Sequence, residues 1–96
     1  MRKYEVMFIV RPDLEEAEIK GIAENMKEVL TSNGANVADF KEMGQRDLAY
    51  EIKKYKKGYY FLITIETAND EATKEFDRLA LISENVIRHL IVRVDN

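Results

Sequence analysis

Hydrophobic positions along this chain switch between a period of two and a period near 3.6, and the switches mark its elements. From Arg2 to Val10 the period is two: Tyr4, Val6, Phe8 and Val10 are all apolar, while Lys3, Glu5, Met7 and Ile9 form a mixed set. That pattern predicts a strand with one buried face and one partly exposed face. Arg11-Pro12 ends it, because proline cannot donate to a ladder. Asp13 then occupies an N-cap position with Glu16 three residues on, a capping-box-like start. Ile19, Ile22, Ala23, Met26, Val29 and Leu30 follow as the stripe of an amphipathic helix, with acids and lysines opposite. Gly34 is expected to close that helix in a left-handed conformation.

Residues 35–52 are the least regular stretch. Val37, Phe40 and Met43 break the period of two, and Gly44 suggests a bulge. Alternation resumes with Leu48, Tyr50 and Ile52. Lys53 to Lys57 reads as a basic turn, Lys-Lys-Tyr-Lys-Lys, closed by Gly58, and Tyr59 to Glu66 is the strongest strand signal in the chain. The pair predicts a long β-hairpin. In its second strand Tyr59, Phe61, Ile63 and Ile65 are wholly apolar, while Tyr60, Leu62, Thr64 and Glu66 turn polar. Burying the odd set is cheaper, since a buried, unpaired Glu66 would be costly. Asn69 and Asp70 are placed to cap a second helix with Ala72, Phe76, Leu79 and Ala80 inward, broken at Ser83-Glu84-Asn85. Val86 to Val94 is a last strand whose faces are both mostly apolar, so the pattern leaves its orientation open.

The order β-α-β-β-α-β predicts an α+β, ferredoxin-like split βαβ fold, one domain over residues 1–96. Its antiparallel sheet has strand order 4-1-3-2 and both helices on one face. The other face is left open with Met7, Ile9, Tyr60 and Leu62 on it, an apolar group expected to mark an interaction site.

Composition narrows the chemistry. The chain has no Cys, hence no disulfides and no thiolate metal site, and no apolar run of about 18 residues that could span a membrane. A cytoplasmic location is the expectation. The net charge is −3, yet residues 41–58 hold six basic and three acidic side chains against nine and fifteen elsewhere. One basic segment on an acidic molecule hints at a phosphate-bearing partner.

Signs of catalysis are weak. The one histidine, His89, lies mid-strand among apolar neighbours; Ser32 and Ser83 are far from it; and the four glycines are scattered. No enzyme activity, cofactor, metal or small-molecule substrate is expected. The lysine turn suits phosphate contact, although lysines near a sheet edge also serve simply to block aggregation. Lys57 to Ile63 partly matches the aromatic strand of an RNA recognition motif. Stacking by Tyr59 and Phe61 would need the odd set exposed, so that reading is rejected.

Several short pieces carry a resemblance. They are Met1-Arg2-Lys3-Tyr4-Glu5-Val6, Val10-Arg11-Pro12-Asp13-Leu14, then Gly44, Arg46, Leu48-Ala49-Tyr50, Ile52, Gly58 and Tyr59, and last Ser83-Glu84-Asn85-Val86-Ile87-Arg88-His89. In order and spacing the chain resembles the family of the sixth protein of the bacterial small ribosomal subunit, over nearly its whole length. The resemblance implies a ferredoxin-like fold and a non-catalytic role in the platform of that subunit. It further implies binding of small-subunit ribosomal RNA as a heterodimer with the eighteenth small-subunit ribosomal protein.

Met43 stands where many members have tryptophan, Gln45 and Asp47 where many have basic residues, and Glu51 where proline is frequent. The weight of expected RNA contact therefore falls on Arg46, Lys53, Lys54, Lys56 and Lys57, with Arg2, Lys3 and Arg88 next. Met7, Ile9, Tyr60 and Leu62 are the expected partner surface. Two rivals share the fold. A small ligand-binding regulatory domain would need a convergent polar set that is not visible here. An acylphosphatase-like enzyme would need glycines that the Arg11-Pro12-Asp13 loop lacks.

Overall fold

A computed structural model describes residues 1–94. Its elements run β1 (Arg2–Val10), α1 (Glu16–Ser32), β2 (Asn36–Ile52), β3 (Tyr55–Thr67), α2 (Glu71–Ile82) and β4 (Val86–Arg93). The strands form one antiparallel sheet in the order β2-β3-β1-β4, the expected split βαβ arrangement. Phe8 lies opposite Phe61 and Val6 opposite Ile63, so the two wholly apolar sets share one face. Ile19, Ala23, Met26 and Leu30 of α1 and Ala72, Phe76 and Ala80 of α2 close over that face. The Phe8 ring stacks on Phe61 at 5.2 Å and meets Phe76 at 5.7 Å. Burial of the odd set of β3 follows as predicted.

One of the four helix ends, the start of α1, is set by a different group from the one expected. The N-cap of α1 is Glu15, without a side-chain bond, and not Asp13. The Asp13 carboxylate instead accepts from Arg11 Nε at 2.8 Å and Nη2 at 3.3 Å. A charge-assisted, forked donor two residues away outcompetes neutral backbone N–H groups. At the other end Gly34 has φ +93°, and the amides of Gly34 and Ala35 donate to the carbonyls of Thr31 and Leu30. That is the Schellman closure the glycine predicted. Asn69 Oδ1 accepts from the Glu71 amide at 3.0 Å before α2, and Ser83 Oγ accepts from Asn85 and Val86 at 3.1 and 3.3 Å after it.

β4 takes the facing that the pattern left open. A register shift opposite Ile9 and Val10 lets both Val86 and Ile87 be buried. Beyond it His89 and Ile91 face the helices, opposite Phe8 and Val6, while Arg88, Leu90 and Val92 face the open side.

The hairpin departs most from expectation. β2 loses register at three places, one beside Gly44 at φ +85°, where the bulge was predicted. The basic turn is only Lys53-Lys54; Lys56 and Lys57 already belong to β3, because Tyr55 pairs with Ile52. Both turn lysines have positive φ, 50° and 73°, the backbone of a two-residue turn that matches strand twist. β1 pairs with β3 only as far as Tyr59, so residues 46–58 extend past β1 as a two-stranded arm.

Candidate RNA and partner interface

The arm gathers five of the expected cations. Arg46 lies opposite Gly58 and Asp47 opposite Lys57; Lys53 and Lys54 form the tip, with Lys56 next to them. All five are exposed, and among the described residues none makes an ion pair. A two-stranded ribbon projecting from an acidic body therefore presents positive charge that no internal carboxylate holds.

Arg2 and Lys3 are not part of that group. They pair with Thr67 and Glu66, at the other end of β3 from the tip. At about 3.3 Å per residue the twelve steps from Tyr55 to Thr67 span roughly 40 Å. Arg88 does join the arm. It points to the open face, and its Nη1 donates to the hydroxyl of Tyr50, with the guanidinium carbon 5.8 Å over the Tyr50 ring.

This contact exists because the arm bends. Between the pairs Asp47–Lys57 and Ile52–Tyr55, residues 48–51 face Lys56 alone. Extra residues on one strand curve it, and here they bring Leu48, Tyr50 and Ile52 over the open face. A cleft of about 130 Å³ remains beneath, bordered by Met7, Ile9, Leu48, Tyr50, Tyr60 and Leu90 among others. Gly58 lets the layers meet, since a Cβ there would fall 2.2 Å from Ile9 Cγ2 and 3.6 Å from Leu48 Cδ2.

The expected exposure of this surface is corrected at Ile9. Ile9 is 2% exposed, closed off by the chain's own arm, while Met7, Tyr60 and Leu62 are half-buried. Apolar exposure on this side sits instead on Tyr50 at 61%, Leu90 at 50% and Val92 at 44%. Sequence reasoning passed over these three. Their signal was present in the Leu48/Tyr50/Ile52 alternation and in the second apolar set of the last strand.

The remaining polar groups brace the fold. Tyr59 donates to Glu42 at 2.8 Å, and that bond to a carboxylate holds its phenol above the usual range. His89 Nε2 lies 2.6 Å from Asp77 Oδ1 and edge-on to Phe76, on the helix side of the sheet. Among the described residues no group of three or more His, Cys, Asp or Glu is placed to hold a metal. No described helix is long and apolar enough to cross a membrane.

Comparison with known proteins agrees with this geometry. The family described as "Ribosomal protein S6" matches residues 3–93. The chain is also similar to the crystal structure of 30S ribosomal protein S6 from Thermotoga maritima, with a TM-score of 0.92 and 29% identity. The alignment covers 97% of this chain and 87% of that one.

Proposed function

Because the chain belongs to the ribosomal protein S6 family of the small ribosomal subunit, we propose that it binds small-subunit ribosomal RNA through its arm, in the cytoplasm. The eighteenth small-subunit ribosomal protein is its partner in that binding. One observation carries the reading: Arg46, Lys53, Lys54, Lys56 and Lys57 converge on one projecting ribbon, with no ion pair among the described residues. Phosphates can neutralise such charges with release of counterions. The partner supplies further neutralisation for a chain of net charge −3 and covers Leu62, Leu90 and Val92, beside the bent arm.

Replacing Lys53, Lys54, Lys56 and Lys57 by Gln tests the RNA contact. Each lost phosphate contact lowers the slope of log affinity against log salt by about 0.7–0.9. Binding of the heterodimer to ribosomal RNA with unchanged affinity and slope would return the lysines to a solvated edge. Leu90→Asp tests the partner surface: co-purification of the partner protein falls while the variant stays folded.

A further inference from the structure

We infer that Tyr50 is a stacking platform for one unpaired base of single-stranded RNA, with Lys56 and Lys57 taking the phosphates beside it. The inference rests on the RNA-binding reading above and adds to it a base contact that charge alone does not supply. Of the nine aromatic residues in the chain, Tyr50 alone is exposed; the rings of the sheet face that sequence patterning considered, Tyr59 and Phe61, turn into or against the core.

The exposed ring is not loose. Arg88 donates to its hydroxyl and lies 5.8 Å over its centroid, so the ring is oriented before a ligand arrives. Pre-orientation lowers the ordering cost of binding. The ring also borders a second hollow, of about 440 Å³, together with Leu48, Lys56 and Lys57 and the carboxylates Asp47 and Glu51. Those two lysines make no ion pair among the described residues. An aromatic face beside lysines that make no ion pair among the described residues matches a nucleotide in both of its parts, the flat base and the anionic phosphate. A base inside an RNA duplex is already stacked on both sides, so the ligand must be unpaired.

The chain contains no Trp, so Tyr50→Trp places a single indole at the site. Oligouridylate at low salt is expected to quench that indole. A blunt RNA duplex and an abasic ribose-phosphate oligomer of equal length are expected to bind without quenching. Tyr50→Ala should weaken oligouridylate binding about tenfold at an unchanged salt slope, and Tyr50→Phe should retain it, since the ring and not the hydroxyl stacks. Equal quenching by the abasic oligomer, or full affinity in Tyr50→Ala, overturns the platform even where the lysine variant still loses RNA. Burial of the indole by the partner protein without RNA overturns it and gives the ring to a protein contact. Failure of the parent heterodimer to bind any RNA overturns both readings together.

Discussion

On the helical layer, cations sit one turn from carboxylates: Lys20 reaches Glu16 at 3.2 Å and Lys74 reaches Asp70 at 3.1 Å. On the arm, Arg46 and four lysines occupy thirteen residues, 46–58, with no such partner among the described residues. Exposed ion pairs contribute only about 0–1 kcal/mol, so the contrast has little to do with stability. It concerns availability. A paired ammonium has a neighbour that an incoming phosphate must displace, whereas the arm's cations meet solvent directly. The packing contrast runs the same way. The body buries Phe8, Phe61 and Phe76 almost completely, while a lone two-stranded ribbon is marginal in water. This molecule keeps its folding energy in the body and, among the described residues, its densest group of cations without an ion pair on the arm.

Phe61→Ala tests that separation most strongly. The ring is 1% exposed and contacts Phe8, Phe40 and Tyr59. Its removal should cost about 3–5 kcal/mol in chemical denaturation. Changes confined to exposed arm side chains outside the positive-φ turn at Lys53-Lys54 should stay within about 0.5 kcal/mol. A comparable loss from both would mean that the arm belongs to the core.

Gly58→Ala probes the seam between the two regions. Its new Cβ would fall 2.2 Å from a γ-methyl of Ile9, a branched and 2%-exposed side chain with little room to move. Overpacking of this kind costs about 1–3 kcal/mol. Combining it with Ile9→Ala should give a loss well below the sum of the two. Additivity would show that the arm does not rest on Ile9.

The body was legible in the sequence because each of its elements has a clean period and one buried face. Tyr4/Val6/Phe8/Val10 and Phe61/Ile63/Ile65 could be paired on paper and are paired in the sheet. The arm was less so. Residues 48–51 opposite Lys56 alone bend a strand by a count of residues, which leaves no mark in alternation. Hence Ile9 looked open, Lys56 and Lys57 looked like a turn, and Tyr50 looked like one more strand residue. Asp13 misled for a local reason, since cap preference ignores a guanidinium two residues away.

The turn itself allows a subtler test. Lys53 and Lys54 hold positive φ, where Asn-Gly is favoured and other L-residues carry a strain of about 1 kcal/mol. Lys53→Asn with Lys54→Gly should therefore raise stability by about 1 kcal/mol. If the proposed phosphate contacts of Lys53 and Lys54 hold, the same variant should lower the salt slope by about 1.4–1.8. Opposite signs in the two measurements would mark the turn as chosen for charge over backbone comfort. A more stable variant with an unaltered salt slope would break the contrast between body and arm at its most exposed point.

The smallest effect concerns a polar link between the regions on the helix-proximal loop, separate from the Arg88–Tyr50 bond. Asp13, in the loop after β1, accepts from Arg11 and, at a longer 3.4 Å, from the hydroxyl of Tyr55, next to the tip of the arm. The Arg11 hydrogen bond holds the Asp13 carboxyl below the usual carboxylate range. A folded value below the unfolded one means that the link is complete above about pH 4 and is lost as the pH falls through the folded value. Amide exchange in residues 46–58, corrected for intrinsic rate, should rise over that acid interval while amides of Phe8 and Ile63 stay protected. Asp70 titrates in the same direction because of its hydrogen bond with Lys74, but it lies before α2 and serves as the control. Asp13→Asn should flatten the arm's acid response, and Asp70→Asn should leave it intact. If instead Asp70→Asn removes the response, protonation acts on the helical layer first and the arm merely follows the body.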